Sequence, residues 1–501
     1  MNTPCTLREL VRHMPVAVVE GPLNRPVAAL AYDCRRVRPD AAYFSLGEGE
    51  SGRAEPIPVA VERGAAAVIC ERNGFVPHRA TKVRVRDARL ALAGAAAAFH
   101  GQPSRALKVV GITGTNGRVC ATFLLHSILT AAGMRSGLVS SVHHRIGERE
   151  LPAGRAEPEA LELQQMLAEM ARARLDACVM EVSAPALEQH RVAAVEFDLA
   201  VFTHFAAEQF SEPADAEQVF AAKKRLFSAV AAGTKRGGAV INIDDPYGER
   251  LARESFVEVQ VTYGLNESAR LRASHVELGR EGTRMIVEGR GLKFACRLSL
   301  PGRHRVYSAL AAIGAALQLR VPVAAIRAGL SGLHAVPGQM EPVRAGQPFS
   351  VFVDRARTVG QLRHLLRAAR EITSGRLLVA VGSRYGVSPA ERAAVGRVVA
   401  EAADGVAVTS DNPREESPEL IAAQVAAGCR LARPDGFWIE TDRRRAVARL
   451  VAEARGGDTV LLTGKGHETW QEEGGTIVPL DDRELAANAL AALGFHAPGP
   501  N

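Results

Sequence analysis

The sequence has no run of eighteen apolar residues, so no segment is expected to cross a bilayer as a helix. It has no Cys-x-x-Cys pair either. Its seven cysteines stand apart, at positions 5, 34, 70, 120, 178, 296 and 429. Such scatter excludes a zinc ribbon or a disulfide framework and reads as the reduced thiols of a cytoplasmic protein. The opening residues, Met1-Asn-Thr-Pro-Cys-Thr-Leu-Arg8, lack a basic segment followed by an apolar one, so no secretory signal is expected. Aromatic residues are only 5% of the chain, and the arginines behind the net charge of +7 form no block. Those two shortages argue against a nucleic-acid binder and leave a basic surface that draws in anionic substrates. No repeat or low-complexity stretch appears beyond alanine-rich helices.

What is present is core-forming material: 47% of 501 residues are hydrophobic, enough for two or three cores. Three blocks are expected, 1–103, 104–337 and 338–501, the first closed by Gly101-Gln-Pro-Ser104 and the third opened after Pro337-Gly338. In the first, short strands (Val27–Tyr32, Ala66–Cys70, Lys82–Val85) alternate with helices (Ile57–Arg63, Ala88–Phe99). The second places strands at Leu107–Ile112, Ala177–Val182, Leu199–Thr203 and Ala239–Asn242, then a more antiparallel stretch before a helix at 304–318. The third alternates strands at Phe349–Val353, Leu377–Val381, Val406–Thr409 and Thr459–Thr463 with four helices. This is an α/β chain built from βαβ units with parallel sheets.

The segment Gly111-Ile-Thr-Gly-Thr-Asn-Gly-Arg-Val-Cys120 joins an apolar strand to an apolar-periodic helix. Small residues there let backbone N–H groups reach a phosphate at a helix N-terminus. A phosphate loop of the usual kind adds a lysine for the β- and γ-phosphates and a hydroxyl for Mg²⁺. Here those places hold Arg118 and Val119.

Further segments extend the pattern. Tyr32-Asp-Cys-Arg35, Glu181-Val-Ser-Ala-Pro-Ala-Leu187 with Arg191-Val192, Ala221-Ala-Lys223-Lys-Arg-Leu-Phe227 and Ile241-Asn-Ile-Asp-Asp245 occur in that order. Asp411-Asn-Pro-Arg414, Thr441-Asp-Arg443 and Gly464-Lys-Gly-His-Glu468 follow. Together they resemble the Mur ligases, and among these the type that adds the third residue of the peptidoglycan stem peptide to a UDP-N-acetylmuramoyl dipeptide. The pair DNPR and GKGHE is the most specific part of the match.

The resemblance implies three domains: an N-terminal α/β UDP-binding domain, a central P-loop ATPase domain with a parallel sheet, and a C-terminal Rossmann-like domain. It also implies ATP-dependent amide formation through an acyl phosphate, with Mg²⁺, in the cytoplasm. ATP contacts fall to Gly114, Thr115, Asn116, Gly117, Arg118 and Asp354. Glu181 and Lys223 take the catalytic and metal-binding places, Lys223 where family members carry a carbamylated lysine. Cys34, Arg35, Ser183 and Arg191 face the UDP-N-acetylmuramoyl peptide. Asp411, Asn412, Arg414, Gly464 and Glu468 face a diaminopimelate-like amino acid, the arginine being suited to pair bidentately with a carboxylate.

Departures from the family pattern gather at the nucleotide. Besides Arg118 and Val119, Cys120 replaces a hydroxyl and Gln209 a metal-binding histidine; Ala184 and Pro185 replace serine and histidine. Arg305 and Ser308 stand at asparagine positions, and Gln339 at an arginine. Asp354-Arg-Ala-Arg357 and Gly382-Ser-Arg384 replace two further motifs, and Ala156 and Glu157 replace two threonines beside the muramoyl nucleotide, where a carboxylate repels a diphosphate. Amides bind divalent metals weakly, and losing a single charge-stabilising donor costs about 10²–10³ in rate. The expectation is a ligase homologue with lost or weakened ligation, binding or regulating other proteins of wall synthesis. The alternative is an active ligase with an altered nucleotide site.

Overall fold

In the computed structural model, residues 5–47, 57–73, 75–153, 157–207, 210, 212–255, 257–289 and 291–496 are described. Packing divides the chain into two compact units, Met1–Leu271 with Ala311–Ile326, and Arg272–Leu310 with Arg327–Asn501.

The first unit carries two large sheets and a short antiparallel pair, Cys5–Thr6 with Pro26–Val27. One has the order Val16–Glu20, Thr81–Val85, Ala65–Cys70, Ala41–Phe44, Ala29–Ala31. Its pairings are parallel except that of Val16–Glu20, which runs antiparallel to its neighbour. The alanines that dominate Ala88–Phe99 let this helix lie flat on the sheet, with Ala91, Ala95 and Ala96 fully buried, and Asp87 caps its start.

The other sheet positions the site. Ser136–Val139, Ala177–Glu181, Lys108–Thr113, Leu199–Phe202, Gly238–Asn242 and Val259–Gly264 are adjacent in that order and parallel throughout. The first four residues after Lys108 are apolar or glycine because both faces of the strand are covered. A parallel sheet with helices on its faces opens its crevice at the carboxyl ends of the strands. Thr113, Glu181, Phe202 and Asn242 all end there. An antiparallel hairpin, His143–Ile146 with Arg149–Pro152, extends the opposite side of Ser136–Val139.

The second unit holds the antiparallel ribbon Gly282–Gly289 with Leu292–Leu298, and a six-stranded sheet. In that sheet Ser350–Asp354, Thr459–Thr463, Leu377–Val381, Gly405–Val408 and Phe437–Ile439 are parallel, and Glu341–Pro342 is antiparallel at one edge. No helix among the described residues is long and apolar enough to cross a membrane.

Candidate active site

The phosphate loop leaves the strand Lys108–Thr113 at Gly114 and enters the helix Arg118–Ala131 after Gly117. Gly114 has φ +152°, and a Cβ there would stand 2.1 Å from Thr203 Oγ1 and 2.9 Å from the His204 carbonyl. Only glycine lets the loop pass this close to the neighbouring strand end. Thr115 N–H donates to the His204 carbonyl at 2.7 Å, and Thr203 Oγ1 donates to the Asn116 carbonyl at 2.7 Å. The loop is thereby fixed as a cradle at a helix N-terminus, which suits phosphate oxygens.

Two cations converge on its first residue. Lys223, buried on the helix Pro213–Ala232, donates from Nζ to the Gly114 carbonyl at 2.9 Å, and Arg118 Nη1 donates to the same oxygen at 3.2 Å. Burial, and then the neighbouring Arg118, lower the Lys223 pKa to about 7. Arg118 Nε also donates to Glu181 Oε2 at 3.0 Å, and that carboxylate is 1% exposed. Glu181 Oε1 accepts from the Ser141 amide at 2.9 Å, and the Ser141 hydroxyl lies 3.2 Å from both oxygens.

These residues do not fit a divalent cation. Val119 offers no oxygen, Glu181 is covered by a guanidinium, and Lys223 presents an amine to a carbonyl. No group of three His, Cys, Asp or Glu side chains suited to a metal occurs among the described residues. Gln209 and Ala156 lie outside the described residues.

Elsewhere in this unit two expectations change. Glu157 does not face outward to repel a diphosphate. Its carboxylate is buried, with Oε1 accepting the Ser183 amide at 2.7 Å and Oε2 bonded to the Ser183 hydroxyl. Arg191 donates to the Glu157 carbonyl at 3.3 Å and pairs with Glu159 at 3.1 Å. Cys34, expected at a substrate, is instead packed into the apolar cluster of Val37, Tyr43 and Val61. Arg35 remains exposed, paired with Asp33 at 2.8 Å. A pair that sequence reasoning missed is His204 Nδ1 with Asp245 Oδ2, 2.6 Å apart, the carboxylate fully buried where it also caps the helix Pro246–Glu254.

In the second unit the loops after Gly405–Val408 and Thr459–Thr463 meet. Gly464 has φ +105°, and a Cβ on it would stand 2.5 Å from Asp411 Oδ2. Arg443 holds the two strand ends together. It is fully buried, pairs with Asp482 through Nε and Nη2 at 2.7 Å each, and donates to the Ser410 carbonyl at 2.9 Å and the Thr463 carbonyl at 2.7 Å.

Asp411 is completely buried, and neither carboxylate oxygen has a hydrogen-bond partner among the described residues. Arg384 Nε stands 3.5 Å from one oxygen and Arg357 Nε 3.8 Å from the other. Both arginines grip Glu468, Arg357 at 2.6 Å, and Asn412 Nδ2 donates to the same carboxylate at 3.1 Å. Arg414, in left-handed backbone at φ +51°, leaves about half its side chain exposed (53%) and pairs with Glu472 at 3.1 Å. Burial, and then Arg443, lower the pKa of Lys465 to about 8. Arg357 and Arg384 stood out in the sequence only as departures from motifs; nothing signalled their contact with Glu468, which lies 111 and 84 residues away.

Asp354, where the resemblance implies an ATP contact, ends the strand Ser350–Asp354. It is buried, and accepts the Met340 and Ala356 amides at 2.8 Å each. Burial raises its pKa. Arg305 donates to the Gln339 carbonyl at 2.5 Å and to its side-chain oxygen at 3.3 Å, so arginine and amide still face one another there.

Residues 112–316 match the Mur ligase middle domain, and residues 338–466 match the Mur ligase, glutamate ligase domain. The chain belongs to the Mur ligase family. It is 33% identical over 97% of its length to the UDP-N-acetylmuramoyl-L-alanyl-D-glutamate--2,6-diaminopimelate ligase of Syntrophomonas wolfei, covering 99% of that protein. It is 38% identical to the UDP-N-acetylmuramyl-tripeptide synthetase of Roseiflexus sp., over 98% of this Mur ligase and 99% of the relative. A solved UDP-N-acetylmuramoyl-L-alanyl-D-glutamate--2,6-diaminopimelate ligase superposes with TM-score 0.71 at 24% identity, covering 98% of this chain and 100% of that one. The fold is the three-domain Mur ligase architecture, and within the family the chain is MurE-like. These relatives are named as ligases, which favours the active alternative over lost ligation.

Proposed function

We propose that this chain is a working MurE-type ligase of the cytoplasm, joining a diaminopimelate-like amino acid to a UDP-N-acetylmuramoyl dipeptide at the expense of ATP. One observation carries the reading: a fully buried carboxylate, Asp411, has no hydrogen-bond partner on either oxygen among the described residues, beneath a loop that also presents Glu468 and the half-exposed Arg414. A buried carboxylate whose oxygens accept no hydrogen bond is costly unless something binds it, and its two arginines stand off at 3.5 and 3.8 Å. An amino acid supplies what is missing, its ammonium to Asp411 and a carboxylate to Arg414.

Each remaining task has a residue in place. The loop amides other than that of Thr115, which is given to the His204 carbonyl, and the guanidinium of Arg118 hold the phosphates of ATP. The loop backbone is fixed before the nucleotide arrives, so its amides need little reorganisation as charge develops. Ser183 and Arg191 receive the muramoyl nucleotide, which must displace the Glu157 carboxylate from Ser183. Holding the reactants in register converts a three-body encounter into a local one.

A second reading is favoured by the Arg118–Glu181 pair alone: the nucleotide site is neutralised from within, and the chain binds or regulates other proteins of wall synthesis. Incubation with ATP, Mg²⁺, UDP-N-acetylmuramoyl dipeptide and diaminopimelate separates the two. The first reading expects ADP and a tripeptide product by mass spectrometry. Absence of both, with the amino acid still bound in calorimetry, supports the second.

A further inference from the structure

We infer that the phosphate loop takes its nucleotide without a divalent cation, the Arg118 guanidinium serving as the fixed positive charge on Glu181. The inference rests on the reading of the loop as an ATP site.

The geometry is that of a metal position filled by a side chain. Glu181 ends its strand at the mouth of the crevice and is 1% exposed, so a cation must accompany its charge. Both of its oxygens are engaged, by Arg118 Nε at 3.0 Å and by the Ser141 amide at 2.9 Å, with the Ser141 hydroxyl reaching both. A metal at this carboxylate would have to displace the guanidinium, and Val119 offers it no second oxygen from the loop. Hard divalent cations need several oxygen ligands at short range, and no group of three His, Cys, Asp or Glu side chains suited to a metal occurs among the described residues.

Arginine is able to take the role. It stays charged at any working pH and has five donors in a rigid fork. Its Nε and one Nη1 donor are taken by Glu181 and the Gly114 carbonyl, and the side chain remains 18% exposed, so donors remain for a phosphate. One positive charge offsets Glu181 where a divalent ion would have left a surplus. Nucleotide and Glu181 therefore compete for the same guanidinium.

That competition gives the test an unusual sign. At a metal site, Glu181→Gln weakens nucleotide binding because a ligand is lost. Here the same substitution frees Arg118 from its carboxylate. The change is isosteric and leaves the Ser141 contacts an acceptor, and thermal unfolding of the variant checks that it folds. ATP binding is measured by isothermal titration calorimetry on the full chain, in Mg²⁺ and in EDTA. We expect wild-type affinity to agree within about twofold between the two buffers, and Glu181→Gln to bind about tenfold more tightly in both, the scale of one charged hydrogen bond. A second variant, Arg118→Lys with Val119→Thr, should make binding depend on Mg²⁺. Loss of wild-type affinity in EDTA, weaker binding by Glu181→Gln, or no binding by either protein at millimolar ATP would overturn the inference. Wild-type affinity lost in EDTA, with tripeptide formed in Mg²⁺, overturns it while the proposed function stands. Metal-free binding with no tripeptide formed in Mg²⁺ upholds it and sinks that function.

Discussion

Two buried carboxylates, one in each unit, are treated in opposite ways. Glu181 has a guanidinium and a serine on its oxygens, while Asp411 has no hydrogen-bond partner on either oxygen among the described residues and two arginines held 3.5 and 3.8 Å away. A site that satisfies its own charge gains stability and must be opened by its ligand. A site left unsatisfied spends stability and is opened by nothing. The nucleotide loop of this Mur ligase is of the first kind and the DNPR–GKGHE pair of the second. The departures from the family pattern therefore do not measure damage uniformly. At the loop they replace one set of charges by another.

The largest effect is expected from breaking the scaffold that lets Asp411 stay unsatisfied. Arg443→Met strands the buried Asp482 and the carbonyls of Ser410 and Thr463. The cost is about 3–5 kcal/mol, measured as a fall in the urea midpoint. A loss under 1 kcal/mol would show that the two strand ends do not depend on this arginine.

The comparison itself is broken by Asp411→Asn. Removing the charge takes away a partner for an ammonium, so amino-acid affinity should fall about 10–100-fold in calorimetry, the worth of a charged hydrogen bond. Urea stability should hold or rise, since no group among the described residues loses a hydrogen bond. Unchanged affinity would remove Asp411 from the amino-acid site. Arg414→Ala sharpens the same point from the exposed side. Its pairing with Glu472 is half in water and worth little to folding. The variant should therefore lose roughly tenfold in amino-acid affinity, with stability within about 0.5 kcal/mol of the parent. An equal loss in both would make Arg414 structural.

How much of this could be read from the chain depended on whether the signal was local. Ala88–Phe99, His304–Gln318, Leu377–Val381 and Thr459–Thr463 fall where periodicity and apolar runs placed them. Val16–Glu20, the hairpin at 143–152 and the ribbon at 470–479 escaped, because half-exposed strands carry mixed residues and are made by lateral pairing. The loop and Lys223 were legible through motif order. Ser141 on Glu181, Glu157 on Ser183, His204 on Asp245 and both arginines on Glu468 were not, since each joins residues 26 to 111 apart. Charge pairing over such distances leaves no periodicity behind it.

The smallest effect tests whether the nucleotide side is as closed as its hydrogen bonds imply. Lys223 is buried with Arg118 beside it, and its pKa is lowered from 10.5 to about 7. Between those values the unfolded chain holds a proton that the folded chain has released. Stability must then rise with pH across that window and fall to its full penalty below about pH 7. Lys223→Met removes the effect and leaves every other titration in place. The stability of wild type relative to Lys223→Met should therefore climb from pH 7.5 to 8.5 by about 1 kcal/mol, below the limit of about 1.4 kcal/mol per pH unit for a single proton. Urea midpoints at the two pH values read it directly. A flat difference would mean that the lysine titrates alike folded and unfolded, which requires water at Nζ. The loop would then be open where Gly114, Arg118 and Lys223 close it, and the contrast with Asp411 would shrink to one of degree.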